Sequence, residues 1–164
     1  MMKNRVCLVA MFLSTLFFSC QQDKNRILDE NIVLDNQVWR EDQMLEFEVS
    51  VDNDSLTYDL ALNIRNGLDY MYRNVFFLYS IEDENGHLMF AGQKEFMLFD
   101  KLGKPLGSND SFLGISYGDL YYSSSSFKTY KFPKPGKYKI KVVQNMRNKP
   151  VLEGVMAVGV KVSY

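Results

Sequence analysis

The sequence predicts an all-β fold, an antiparallel β-sandwich of the jelly-roll or immunoglobulin-like kind. Several segments alternate apolar and polar residues with a period of two, which places each set of side chains on one face of a sheet. Turn signals rich in Gly, Pro and Asn separate these segments. Behind the N-terminal apolar stretch, no long window has the period of a helix. We therefore expect about seven to nine short strands.

The composition limits the class of protein. The 164 residues carry 19 basic and 20 acidic side chains, and 46% of them are hydrophobic. Such a chain can bury a core, which excludes a disordered or collagen-like protein. The near-neutral charge excludes a strongly basic nucleic-acid binder, so we expect no nucleic-acid partner. The length suits one domain without a separate cofactor domain.

The first half of the domain has the clearest strand patterns. Leucine, phenylalanine and valine occupy every second position of residues 45–51, and residues 58–65 continue this alternation. Residues 75–81 are apolar apart from Ser80, which predicts a central strand buried on both faces. Asp83-Glu84-Asn85-Gly86 predicts a turn. The return strands are expected within residues 87–99.

The second half is more irregular until its last two strands. Residues 102–107 predict a turn, and residues 121–126, with four serines, predict a low-complexity loop. In residues 137–142 lysines alternate with apolar residues, and a last strand is expected from about 151 to 162. The order Gly136-x-Tyr138 resembles the tyrosine corner of sandwich domains.

The N-terminus predicts an export signal. Lys3 and Arg5 precede an apolar stretch, residues 6–18, that is too short for a transmembrane helix of roughly 20 residues. Ser19-Cys20 follow this stretch, and a small residue directly before a cysteine at this place resembles a bacterial lipoprotein signal. Phe18 departs from the small residue common at its position. The alternative is an ordinary signal peptide with a chance cysteine.

This signal predicts the domain organisation. We expect residues 1–19 to be a signal peptide, residues 20–31 a lipidated tether and residues 32–164 a single β-sandwich domain. Cys20 would carry the lipid and attach the protein to a membrane. Cys7 would be removed with the signal, which leaves the mature chain without a disulfide or a cysteine-bound metal. Gln21 stands where Asp would favour the inner membrane, so the outer membrane is favoured.

Charge is distributed unevenly along the chain. Residues 23–59 contain eleven acidic and three basic residues, and residues 128–149 contain eight basic and no acidic residues. Cross-strand pairing explains this, with Glu46 and Glu48 near Lys139 and Lys141. The alternative is a basic face that meets an acidic partner.

No motif predicts catalysis or a cofactor. His87 is the only histidine and follows a turn. Residues 114–118 satisfy the G-x-S-x-G pattern, but the segment behind them does not predict the helix that a nucleophile elbow needs. The carboxylate pairs Asp52/Asp54 and Glu82/Glu84 lie at predicted turns. We expect no enzymatic activity, no cofactor and no metal.

Aromatic residues are abundant, and two interpretations remain open. Trp39 is the only tryptophan, and six tyrosines lie in the middle of the chain, namely Tyr70, Tyr72, Tyr79, Tyr117, Tyr121 and Tyr122. In a sandwich of this size most of them should pack in the core or at its rim. Exposed aromatics could instead stack on sugar rings, which would make the protein a carbohydrate-binding lipoprotein.

An ordered set of short motifs identifies a family. The set begins at Trp39 and continues with Leu45-Glu46-Phe47, Asp69-Tyr70-Met71-Tyr72-Arg73-Asn74, Phe132-Pro133-x-Pro135-Gly136-x-Tyr138, Gln144-Asn145-Met146-Arg147 and Gly154 to Val160. With the cysteine in front, the chain resembles the gliding-motility lipoprotein family GldH of the Bacteroidetes. The resemblance implies an acylated envelope protein without an assigned reaction, and it transfers only Cys20, as the lipidation site.

The resemblance and the residues together predict a non-enzymatic envelope lipoprotein. We expect it to associate with motility or surface machinery through contacts with other envelope proteins. Gln144 and Arg147 have two interpretations that stay open, because they could recognise a partner or bridge strands within the fold.

Overall fold

The computed structural model describes residues 25–112 and 115–164, and it describes side chains in these ranges except in residues 109–119. The predicted signal peptide, residues 1–19, and Cys20 lie outside the described residues. The described part of the chain contains eleven strands and a short 3-10 helix, but no α-helix. The all-β prediction is therefore confirmed, with more strands than expected.

Five strands form the larger antiparallel sheet. They are β1 (Arg26–Val33), β4 (Tyr58–Gly67), β7 (Ser108–Phe112), β8 (Ile115–Tyr130) and β11 (Val155–Ser163). Their order in the sheet is β1-β11-β4-β8-β7, so strands from both ends of the chain lie side by side.

Four strands form the second antiparallel sheet, in the order β3-β9-β5-β6. They are β3 (Leu45–Val51), β5 (Asn74–Asp83), β6 (Leu88–Met97) and β9 (Gly136–Gln144). The remaining strands, β2 (Val38–Arg40) and β10 (Val151–Glu153), pair only with each other. The 3-10 helix Asp35–Gln37 precedes β2.

The inner faces of the two sheets meet in one core. In β3 the residues Leu45, Phe47, Val49 and Val51 are buried and the residues between them are exposed, as the alternation predicts. Trp39 is fully buried in the same cluster. Burial of each large side chain of this kind stabilises the fold by about 1.5–3 kcal/mol.

The sandwich has two distinct ends. At the terminal end, the N–H of Tyr164 donates to the carbonyl of Asn25 at 2.9 Å, and the turns 52–57, 84–87 and 131–135 lie at the same end. At the far end, the connections 34–44, 68–73, 98–107 and 145–150 join the strands. β4 spans the sheet between the two ends, since it begins at Tyr58 and ends at Gly67.

The tyrosine corner predicted at Tyr138 is present. The Tyr138 hydroxyl donates to the carbonyl of Lys134 at 2.7 Å, which ties the start of β9 to the preceding turn. The Tyr58 hydroxyl makes a similar bond to the carbonyl of Asn53 at 2.8 Å. These two bonds hold two of the turns at the terminal end.

The predicted tether contains part of the first strand. Residues 26–31 belong to β1, which pairs with β11 from Arg26↔Ser163 to Val33↔Ala157. The sandwich therefore begins at about residue 26, before the expected residue 32. The polar sequence concealed this strand, because β1 is an edge strand whose side chains are mostly exposed.

The expectation that the serine-rich segment is a loop is wrong. Residues 121–126 lie in β8 and pair with β4, for example Ser123 with Ile64 and Ser125 with Leu62. Serine has no strong preference for strands, so the pairing with the apolar strand β4 decides the local structure.

The expectation that β5 is buried on both faces is also wrong. Val75, Phe77, Tyr79 and Ile81 are buried, but Leu78 between them is 41% exposed. The strand is central in its sheet, yet the larger sheet covers only one of its faces.

Candidate functional site

The predicted lipidation site lies upstream of the terminal end of the sandwich. Cys20 is outside the described residues, and Asn25 is the first residue that the structure describes. The chain therefore leaves the domain toward Cys20 beside Tyr164, whose N–H donates to the Asn25 carbonyl. Asn25, five residues after Cys20 in the sequence, thus lies at the terminal end of the sandwich.

The outer face of the second sheet carries a network of ion pairs. Glu48 and Lys139 are directly opposite each other, as are Glu46 and Lys141. Lys137 contacts Glu48 at 2.9 Å, and Lys141 lies between Glu82 at 2.8 Å and Glu46 at 3.6 Å. The cross-strand interpretation of the charge pattern is confirmed for these residues.

The ion pairs shift the pKa values of the residues that form them. The hydrogen bond from Lys137 lowers the pKa of Glu48. The hydrogen bond to Glu82 raises the pKa of Lys141, and the charge of Glu46 adds to this effect. Such exposed pairs stabilise a fold little. They do neutralise most of this basic face, which makes it a poor binding site for an acidic partner.

The same outer face has an apolar part next to the ion pairs. A shallow groove of about 400 Å³ is lined by Met44, Leu78, Ala91 and Val143. Met44 and Leu78 are exposed. The groove has no convergent set of polar groups, so it offers area for contact and no evident chemistry.

A second groove lies between the strands β6 and β8. It has a volume of about 540 Å³, and its lining includes Glu95, Leu106 and the serines 123–125. Ser123 is buried, and its hydroxyl has no hydrogen-bond partner in the described structure. Glu95 accepts a hydrogen bond from the side-chain amide of Asn74. No histidine lies in this lining, and its one carboxylate, Glu95, is engaged by the Asn74 amide.

The other candidate chemical groups have structural roles or lie apart. His87 contacts Asp83 through Nδ1 at 3.0 Å, and the other Asp83 oxygen accepts the backbone N–H groups of Asn85 and His87. These bonds, above all the one from the His87 backbone, lower the pKa of Asp83 and hold the turn. Within residues 25–112 and 115–164, no three His, Cys, Asp or Glu side chains are grouped as metal ligands.

The remaining sequence candidates are not brought together into a site. Ser116 of the G-x-S-x-G pattern lies in β8, where a strand follows and not the helix of a nucleophile elbow; Gly114 is outside the described residues. Asp52 and Asp54 lie in the β3–β4 turn, and Glu82 pairs with Lys141.

The aromatic residues mainly build the core. Trp39, Tyr70 and Tyr79 are buried, and Tyr72, Tyr121 and Tyr122 are half-buried. Trp39 donates to the carbonyl of Gln43 at 3.4 Å. Among the described side chains, Tyr164 is the only aromatic one that is largely exposed. These residues therefore provide no pair of exposed, coplanar rings on which a sugar could stack; Tyr117 lies outside the described side chains.

In the motif Gln144-Asn145-Met146-Arg147, the side chain of Gln144 has a structural role within the fold. Its side chain is 2% exposed, donates to the carbonyl of Lys149 and accepts the N–H of Met146, both at 2.9 Å. Gln144 thus closes the β9–β10 connection from inside. Arg147 is exposed at the surface of that connection.

The far end exposes a group of large apolar side chains, which we call the apolar tip. Its members lie on the β4–β5 and β6–β7 connections and at the end of β6, and they are Leu68, Met71, Met97, Leu102 and Leu106. Met71 is 84% exposed and Leu102 is 93% exposed. The Arg73 carbonyl accepts the N–H groups of Leu98 and Phe99, so the two connections are held together.

Four exposed basic residues lie on the β6–β7 connection of the apolar tip and on the adjoining β9–β10 connection, and we call them the basic rim. They are Lys101, Lys104, Arg147 and Lys149. Lys149 lies 5.6 Å from the ring centroid of Tyr72, which joins the β9–β10 connection to the tip. With Arg73, the three connections carry five basic residues against Asp69 and Asp100, a net charge of +3.

Sequence patterns did not predict the apolar tip. Its residues come from separate parts of the chain and follow no common period, so no stripe in the sequence marks them. The available signal was the presence of Leu102 and Leu106 in a segment correctly predicted as a turn, where large apolar residues are unusual.

The described residues contain no helix that is long and apolar enough to cross a membrane.

Comparison with known proteins agrees with the motif set. The family model "GldH lipoprotein" matches residues 26–162. The "Gliding motility lipoprotein GldH homolog" of Christiangramia forsetii is 33% identical over 148 residues, which cover 90% of this chain and 84% of that protein. The "Gliding motility lipoprotein GldH" of Flavobacterium johnsoniae is 28% identical over 149 residues, covering 91% and 86%.

The similarity to solved structures is more distant. The crystal structure of dimeric latent PorU from Porphyromonas gingivalis matches with a TM-score of 0.27 and 11% identity. The match covers 84% of this chain but 13% of that protein, and at this TM-score it carries no argument. The family model and the 33% identical relative, by contrast, extend over most of the chain. The chain therefore belongs to the GldH lipoprotein family.

Proposed function

We propose that the protein is a lipid-anchored component of the bacterial cell envelope that serves gliding motility or related surface machinery. In this proposal it acts through contacts with other envelope proteins and catalyses no reaction. The apolar tip is the observation that carries the proposal, because large exposed apolar groups are typical of protein interaction sites. The names of the two relatives support the motility role.

The anchor of this proposal is Cys20. A single acyl chain holds a protein only marginally, and each buried methylene contributes about 0.8 kcal/mol. The lipoprotein resemblance implies two or three chains on the cysteine, which together give stable attachment. Since Gln21 and not Asp follows the cysteine, we place the protein at the outer membrane.

Metabolic labelling tests the anchor. Cells that express the full chain are grown with radiolabelled palmitate, beside cells that express Cys20→Ala. We expect label and membrane fractionation for the natural chain, and neither for the variant. A matched Cys7→Ala variant should keep the label, since Cys7 lies within the predicted signal. Label that persists in Cys20→Ala would contradict the proposed anchor.

Affinity purification tests the mode of action. The tagged lipoprotein is purified from solubilised membranes, and the same protein is applied to a glycan array. A stable envelope protein partner that is also needed for surface movement supports the proposal. Glycan binding without a protein partner would instead support the carbohydrate-binding alternative.

A further inference from the structure

We infer that the apolar tip and its basic rim form the docking surface for an acidic segment of a partner protein, approached from the side away from the anchoring membrane. This inference rests on the proposed function, because it takes Cys20 as the anchor. It adds which end of the domain meets the partner and what chemistry the partner must present.

The position of the chain termini sets the orientation. Asn25 lies at the terminal end of the sandwich, and Cys20 precedes it by five residues. Five residues of fully extended chain span at most about 18 Å. The ten residues of β4 rise about 34 Å between the two ends. The tether is therefore too short to turn the domain over and set the far end on the anchoring membrane.

The apolar side chains are concentrated at the end that points away. In the part of the chain that the structure describes, the exposed large apolar residues include eight at or next to the far end: Val33, Met44, Leu68, Met71, Met97, Leu102, Leu106 and Val151. The terminal end has Leu88, Met89 and Tyr164. The tip itself is formed from two connections that Arg73 holds together, which favours a defined surface.

Charge identifies the class of partner. The three connections that carry the tip and the rim have a net charge of +3, whereas residues 34–44, another connection described at this end, have Arg40 against Asp35, Glu41 and Asp42. The chain from Cys20 onward has 17 basic and 20 acidic residues, so the positive charge is local to the tip. One of the two acids on these three connections is Asp100. Its carboxylate accepts the backbone N–H groups of Leu102 and Lys104 at 2.8 and 2.9 Å and thereby stabilises the turn. The basic rim thus favours an acidic surface. It also disfavours a second copy docking tip to tip, since like charges would meet.

Site-specific photo-crosslinking in living cells tests the inference. A photoreactive amino acid replaces Leu102 in the full-length lipoprotein, and a matched variant carries it at Leu88, an exposed leucine at the terminal end. We expect an adduct from position 102 only, and mass spectrometry should place it on a peptide rich in Asp and Glu. Equal adducts at both positions, no adduct at position 102, or an adduct with a lipid would overturn the inference.

Charge reversal provides the second measurement. In the Leu102 crosslinking background, Lys101→Glu with Lys104→Glu should lower the adduct yield by about tenfold, because like charges would then face each other across the interface. The control, Lys131→Glu with Lys134→Glu in the turn at the terminal end, should leave the yield unchanged. An unchanged yield with the rim reversed would refute an acidic partner.

Palmitate labelling distinguishes a failure of the docking inference from a failure of the Cys20 anchor. Palmitate incorporation is measured in the same cells. If Cys20 carries the label but position 102 gives no acidic peptide, the docking inference fails and the anchor stands. If label persists without Cys20, the anchor and the orientation argument fail together.

Discussion

Gly92 on β6 lies directly opposite Tyr79 on β5, and the tyrosine ring occupies the space where another residue would place its Cβ atom. A Cβ atom at Gly92 would lie 2.7 Å from the Tyr79 hydroxyl oxygen and 2.8 Å from Cζ. The ring is confined by Phe127 and Phe90, whose centroids are 4.7 and 5.9 Å away. Close packing, and not an unusual backbone angle, therefore requires glycine at this position.

We expect Gly92→Ala to lower the free energy of unfolding by about 1–3 kcal/mol, because the added methyl group overpacks a confined site. Urea denaturation followed by fluorescence measures the change. Ala91→Ser, at the neighbouring exposed position, is the control and should have little effect. Equal stability of Gly92→Ala and the natural protein would show that Tyr79 moves aside easily.

Gln144→Ala should destabilise the fold by about 1–3 kcal/mol, since it removes a buried group that bonds Lys149 and Met146 and leaves their backbone groups unpaired. Thermal and urea unfolding measure the loss. Asn145→Ala, at an exposed position next to it, serves as the control. A Gln144→Ala variant that is stable but fails to bind a partner would assign this residue to recognition.

The β6–β7 turn should make stability depend on pH through Asp100. Hydrogen bonds from the backbone of Lys104, and then of Leu102, lower the pKa of Asp100 in the folded state. The unfolded chain therefore binds the proton more readily. The stabilisation is complete above the unfolded pKa of about 3.9 and is lost as the pH falls through the lower folded value.

Asp100→Asn checks this contribution. We expect the urea midpoint of the natural protein to decrease when the pH is lowered from 7 to 3, and the midpoint of the variant to decrease less. Asp54→Asn, in a turn at the terminal end, is a control that should retain the natural pH dependence. The prediction fails if the urea midpoint decreases from pH 7 to pH 3 by the same amount in Asp100→Asn as in the natural protein.

The extent of the first strand can be tested by truncation. A secreted variant that begins at Asn25 should unfold like the natural domain. One that begins at Ile32 loses most of the β1–β11 hydrogen bonds, and we expect it to be on the order of 3 kcal/mol less stable, or unfolded. Calorimetry and circular dichroism compare the two variants. Equal stability would show that residues 26–31 are a tether after all.

The sequence predicted elements in which one face is buried and the other is exposed. The alternation in β3 and β9 and the Tyr138 corner are confirmed in detail, because a period of two directly reports the two faces of a sheet. The same rule failed for the serines of β8, whose strand structure depends on pairing with β4, a partner some sixty residues away in the chain. It also failed for β1, where an exposed edge strand has no apolar pattern.

The candidate site could not be predicted, because it depends on which turns share an end of the sandwich. Met71 and Leu102 lie 31 positions apart, Met71 between two tyrosines and Leu102 in a turn segment. Only the strand order and the bonds of Arg73 bring their connections together. The family motif contained Met71 and Arg73, but the sequence could not separate a role in packing from a role at the surface.

The hydrogen bond between Tyr164 and Asn25 has a practical consequence for imaging and purification. A fluorescent protein or an affinity tag attached after Tyr164 would emerge beside the segment that leads to Cys20. Such a fusion would crowd the side of the proposed anchor and leave Met71 and Leu102 uncovered. An insertion between Lys101 and Lys104, by contrast, would block the surface that we expect a partner to touch.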